Sequence, residues 1–156
     1  MSCRRTVGVL AWLVLTAACA APLTLPKEFV ELKDPGDGYR AVTSDDARLR
    51  VREFREATEG DVAFWGETLR LDLVQQRGYE PVDAGELTNG VGVGRWYEFS
   101  ANVDGERVGY FVAVWARPAS WLLGSPKLVV VEFAARDAVF RQRLPAVRAA
   151  LATLRG

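Results

Sequence analysis

Histidine is absent from this chain, and cysteine occurs only twice, at Cys3 and Cys19. The lack of histidine excludes Ser-His-Asp and Cys-His nucleophilic machinery and any zinc site built from His or Cys. With both cysteines close to the N-terminus there is no disulfide framework, so burial alone must hold the core. Lysine is scarce, at Lys27, Lys33 and Lys127, and arginine makes up the rest of the 20 basic residues. Arginine stays protonated near neutral pH and does not act as a base. Catalysis would therefore fall to carboxylates, tyrosines and three lysines, and Ser125 near Lys127 is too slight a pairing to suggest a Ser-Lys hydrolase. No cofactor and no metal is expected. Long apolar runs are missing as well. The longest stretch, Val7 to Leu15, falls well short of the roughly 20 residues that a spanning helix needs.

That short stretch has a different meaning in its context. Arg4 and Arg5 precede it, and Leu15-Thr16-Ala17-Ala18-Cys19 follows. A charged start, an apolar run within about 7–15 residues and small residues before a cleavage point make an export signal. The cysteine at its end resembles a bacterial lipoprotein signal, in which Cys19 becomes the acylated first residue of the mature chain. Thr16 stands where such signals usually carry Leu. A second processing route is also open, in which Ala18-Cys19-Ala20 is an ordinary signal-peptidase site and cleavage falls before Ala21. Under the lipoprotein reading residues 1–18 are the signal, 19–25 a lipidated tether and 26–156 a single globular domain. Ala20 rather than Asp after the cysteine favours the periplasmic face of the outer membrane, and ordinary cleavage would release the chain to the periplasm.

Cleavage before Cys19 leaves 138 of the 156 residues, a one-domain length. It also leaves 18 basic against 20 acidic side chains, a net charge of −2. That balance is no footprint for nucleic acid. The hydrophobic fraction of 49% is that of a globular protein.

Periodicity then orders the elements. Phe29, Val30 and Leu32 suggest a first strand, and Asp34-Pro35-Gly36-Asp37-Gly38 a turn. Tyr39 to Glu53 reads as a hairpin around Ser44-Asp45-Asp46. A three-residue loop there pairs Thr43 with Ala47, Ala41 with Leu49 and Tyr39 with Val51, which sends Arg40, Arg48, Arg50 and Arg52 to the opposite face. Asp61 can cap a helix over Val62 to Arg77 that Gly78 stops. Its buried stripe is Val62, Trp65, Leu69 and Leu73, widened by Leu71 and Val74. Tyr79 to Val82 suggests a strand, followed by a polar, Gly-containing segment to Gly94. Trp96 to Val103 and Arg107 to Ala116 flank Asp104-Gly105, a tight hairpin turn. The second of these strands is apolar on both faces, as in the middle of a covered sheet. Lys127 to Phe133 is a further strand. In the closing helix Phe140, Leu144, Val147, Leu151 and Leu154 share a face, and Pro145 is expected to kink or split it. Strands joined by hairpins with helices packed on them make an α+β domain, with a mainly antiparallel sheet of about six or seven strands.

Four features invite functional readings. The arginine row Arg40, Arg48, Arg50 and Arg52 could contact an anion, such as a lipid headgroup or an acidic partner, or could be a solvated strand face. Trp121, Leu122 and Leu123, between Pro118 and Gly124, could form an apolar tip for a membrane or protein partner, or could fold back on the sheet. Gly90, Gly92 and Gly94 precede a strand rather than a helix, and read as strand entry rather than a phosphate loop. Asp34 with Asp37, and Asp104 with Glu106, read as turn residues rather than calcium or catalytic pairs.

The pattern resembles the PsbP-like α/β/α sandwich family, which includes small bacterial envelope lipoproteins. The matching pieces are Gly38-Tyr39-Arg40-Ala41 running into the Ser44-Asp45-Asp46 hairpin, Phe64-Trp65 at the first helix, the Gly78-Tyr79 exit, Asp104-Gly105, and Val131-Glu132-Phe133 before the last helix. The resemblance implies a three-layer fold and a role as a binding or assembly accessory, with no catalytic set to carry over. Two classes of function follow. One is a non-catalytic, lipid-anchored envelope accessory, tied to the bilayer by its acyl anchor and serving an unidentified envelope protein or ligand. The other is a carboxylate-dependent envelope hydrolase acting on glycans, which needs two carboxyl groups about 5–10 Å apart in a cleft.

Overall fold

Two long strands with alternating side chains set the frame. In the computed structural model, which describes residues 21–33, 38–55, 60–117 and 127–155, they are β5 (Gly92–Val103) and β6 (Glu106–Arg117), joined by the Asp104-Gly105 turn. Both turn residues have positive φ, 53° and 83°, as a two-residue hairpin of this hand requires. Around them lie β1 (Val30–Glu31), β2 (Tyr39–Val42), β3 (Arg48–Arg55), β4 (Glu80–Asn89) and β7 (Lys127–Arg136). The sheet order is β1-β2-β3-β7-β6-β5-β4, antiparallel throughout. Helix α1 (Val62–Leu71) covers one face and α2 (Asp137–Leu151) the other. The result is an α/β/α sandwich of the α+β class.

Each face has its own core. On the α2 face Leu49, Val51, Phe111, Trp115, Val131 and Phe133 meet Phe140, Val147, Leu151 and Leu154. Phe133 stacks on Phe140 with centroids 5.2 Å apart. Two glycines make room here, because a Cβ at Gly109 would strike the Phe140 ring and one at Gly94 the Trp115 ring. On the α1 face Tyr97, Phe99, Val112, Val114, Leu128 and Val130 pack with Leu73. β6 contributes to both cores, which is why it is apolar on both sides.

The hairpin register is the expected one: Tyr39 opposes Val51, Ala41 opposes Leu49, and the Thr43 amide donates to Ala47 at 3.0 Å. Asp61 caps α1 by accepting from the Phe64 amide at 2.8 Å. Gly78 takes φ 67° after the helix.

Several expectations are corrected. The first helix changes at Asp72 into a π-helical turn, Asp72–Gln76, so its apolar stripe drifts. Leu73 stays fully buried, Trp65 is half-buried, and Leu71 is exposed rather than part of the stripe. The polar segment after Val82 is strand β4, held by its ladder to β5 and bulged between Pro81 and Asp83. As the outermost strand it is exposed on most side chains, which is why no alternation marks it. Pro145 does not split α2, which runs unbroken from Asp137 to Leu151. Pro145 and Arg141 are both exposed, so water can take up the carbonyl bond that the missing amide leaves open.

Within the expected tether, residues 22–25 pack on the domain. Leu23 is 3% exposed and Leu25 packs on the α2-side core. The Thr24 amide donates to Thr153 Oγ1 at 2.8 Å, and the Arg155 amide to the Pro22 carbonyl at 2.8 Å.

Candidate binding site

Among the described residues, helix cover on the α1 face of the sheet is confined to one side. Helix α1 lies over β5 and β6, and the β2-β3-β7 half carries Arg40, Arg48, Arg50 and Arg52 in place of a helix. The sequence placed these four on one face correctly, but they do not act alike. Arg48 reaches Asp46 at 3.1 Å in solvent. Arg40 and Arg50 stand directly opposite each other across the β2–β3 ladder, and Arg50 also opposes Glu132 on β7. Arg52 turns inward: a guanidinium nitrogen lies 2.8 Å from Glu132 Oε2, and its carbon sits 4.9 Å from the Phe54 ring centroid.

Glu132 is the centre of this arrangement. Besides the arginine, it accepts a hydrogen bond from the Tyr110 hydroxyl at 2.7 Å. Burial, with the adjacent carboxylate, pushes the Tyr110 phenol well above its ordinary value, so it remains a neutral donor. The trio forms the polar end of a cavity of about 330 Å³ between α1 and the sheet. Phe54, Trp65, Leu69, Val114, Leu128 and Val130 supply the apolar walls. At the rim the π-helical turn presents Asp72, which Arg77 approaches at 3.4 Å.

The charges of this cavity are paired within it. Its two carboxylates, Glu132 and Asp72, are each engaged by an arginine. No serine, cysteine or lysine stands among its described lining residues. Among the described residues no group of His, Cys, Asp and Glu is placed to hold a metal ion.

The remaining candidates fall elsewhere. Glu106 pairs with Arg136 at 3.0 Å beside the β5–β6 turn, and Lys127 with Glu53 at 3.4 Å. Gly90 and Gly92 belong to the β4–β5 hairpin and its strand entry, and Gly94 to β5. Cys19, the Trp121-Leu122-Leu123 triplet, Ser125, Asp34 and Asp37 lie outside the described residues. Sequence reasoning missed Tyr110, Glu132, Asp72 and Arg77 as a group. One signal was available: Glu132 is the sole charge inside the run Leu128-Val129-Val130-Val131-Glu132-Phe133, and a charge within a covered strand needs a partner.

No family model matches the chain, and no curated protein sequence matches it. Solved structures do. LpqN, involved in cell envelope biogenesis of Mycobacterium tuberculosis, superposes with a TM-score of 0.65 at 13% identity, over 82% of this chain and 78% of that one. Cyanobacterial PsbP (CyanoP) from Synechocystis sp. PCC 6803 matches with a TM-score of 0.55 at 11% identity, over 94% and 96%. The fold is PsbP-like. A Pseudomonas aeruginosa protein of unknown function, PA94, a putative regulator, shares it at 15% identity with a TM-score of 0.54, over 82% and 81%. In this PsbP-like fold α1 and the sheet beside it form the candidate binding face.

Proposed function

We propose that this chain is a lipid-anchored, non-catalytic accessory of the bacterial cell envelope, held through an acylated Cys19 at the periplasmic face of the outer membrane. It binds a ligand or partner in the cavity beneath α1. The observation that carries the binding role is the cavity itself: apolar walls meet a polar trio whose charges are already paired. The envelope setting draws on the Cys19 signal and on the likeness to LpqN, which is involved in cell envelope biogenesis. The anchor is the tie to the bilayer, the partner in the cavity is an envelope protein or ligand, and nucleic acid is not among the partners. The Trp121-Leu122-Leu123 triplet is a second contact. It belongs to the connection between Arg117, the end of β6, and Lys127, the start of β7.

Site-specific photocrosslinking in intact envelopes tests the binding role. A photoreactive residue at Thr68, on the cavity rim, or at Trp121 should give a discrete adduct, and one at Asp104, on the remote β5–β6 turn, should not. Equal labelling from all three positions, or none from Thr68, would contradict it.

A further inference from the structure

The N-terminal segment is packed onto one end of the domain. Pro22 is bonded to Arg155 and Leu23 is buried, so the chain is fastened from residue 22 onward. From Cys19 to Pro22 is three Cα steps, a reach of at most about 11 Å. The strands are much longer: the twelve residues of β6 extend about 40 Å. An anchor at Cys19 therefore holds one end of the sandwich at the bilayer and leaves no slack for the other end to reach it.

The topology identifies that end. Helix α2 finishes there, with the Asn89 side chain donating to the Leu151 carbonyl at 2.9 Å, so the β4–β5 hairpin lies beside it. Strand β3 leaves at Arg55, β6 at Arg117, and β7 enters at Lys127. Helix α1 starts at this end too, since Gly66 sits against Arg95, near the beginning of β5. Two large apolar side chains stand exposed here, Phe64 at 50% and Val93 at 52%. The opposite end holds the Ser44–Asp46 loop, the Asp104-Gly105 turn and the start of α2, with the Arg143–Asp45 ion pair among them.

We propose that the end bearing Phe64, Val93 and the β4–β5 hairpin is a membrane-contact surface, and that the domain stands on the bilayer with its strands steeply inclined to it. This rests on the lipid-anchored reading. Exposed aromatic and aliphatic side chains suit the headgroup boundary, where an apolar body can leave water without crossing the bilayer. The cavity beneath α1 then opens sideways, parallel to the membrane plane, and the Asp104-Gly105 turn points away from it.

Strand β5 carries its own control. Val93 and Val103 are the same residue type, 52% and 48% exposed, at its two ends. The chain from Cys19 onward contains all of the described core and has Cys19 as its sole thiol. It can be coupled through that thiol to a maleimide lipid in phosphatidylcholine–phosphatidylglycerol vesicles and probed by hydroxyl-radical footprinting against the uncoupled protein. Coupling should lower labelling of Val93 and Phe64 at least about threefold and leave Val103 unchanged. Equal protection at both ends, protection of Val103 alone, or no protection anywhere would overturn the assignment. The chemical tether makes this outcome independent of acylation in the cell, so failure of the contact surface and failure of the anchor are read separately.

Discussion

Single residues divide into those that fill the sandwich and those that equip its face. Trp115 is 1% exposed and lies against Gly94, whose missing Cβ leaves the indole its place. Truncating a fully buried Trp typically costs about 3–5 kcal/mol, so Trp115→Ala should lower the denaturant midpoint steeply. Trp65 is half-buried at the cavity wall, and Trp65→Ala should cost clearly less. Equal losses in equilibrium unfolding would show that the cavity wall is core. The sequence put Trp65 in a buried stripe, because helical spacing reports the face a residue shares and not how completely that face is covered. Glu132 shows the reverse limit. Its charge within an apolar run was visible, but its partners Tyr110 and Arg52 come from β6 and β3, and only the sheet order brings them together.

At the scale of elements, the β2–β3 hairpin is clamped to α2. Arg143 donates to both Asp45 carboxylate oxygens, at 2.6–3.1 Å, and the Thr43 hydroxyl also donates to Asp45. The bond from Arg143, then that from Thr43, holds the Asp45 carboxyl below its ordinary value. A carboxyl depressed in the folded state stabilises it above the unfolded pKa of about 3.9, and that contribution fades as pH falls through the folded value. Asp45→Asn should therefore be less stable than wild type near neutral pH, with the gap closing in acid. Urea midpoints at about pH 7 and about pH 2.5 check this, and a gap constant between them would contradict it. The hairpin was legible because a three-residue loop and strict alternation allow one register that buries Ala41, Leu49 and Val51. Strand β4 was not, since an edge strand exposed on most of its length is specified by its neighbour's ladder rather than by its own pattern. The π-helical turn at Asp72–Gln76 also left no periodic mark.

For the whole molecule, hairpins and two amphipathic helices were enough to anticipate an antiparallel sheet covered on both faces, and the structure has that sheet in seven strands. What periodicity could not supply was the β3–β7 pairing, which joins the first three strands to the rest. Nor could it show that residues 22–25 pack on the domain, because two leucines between prolines carry no pattern. No helix among the described residues is long and apolar enough to cross a membrane. The proposed function depends on Cys19 as the tie to the bilayer. Its most direct test is the intact mass of the mature N-terminal peptide from protein purified from membranes, compared with the Cys19→Ala form. The account predicts a chain that begins at Cys19 with acyl groups attached, and a Cys19→Ala protein that no longer partitions with the membranes as a mature lipoprotein. A mature chain that begins at Ala21 without lipid would contradict it.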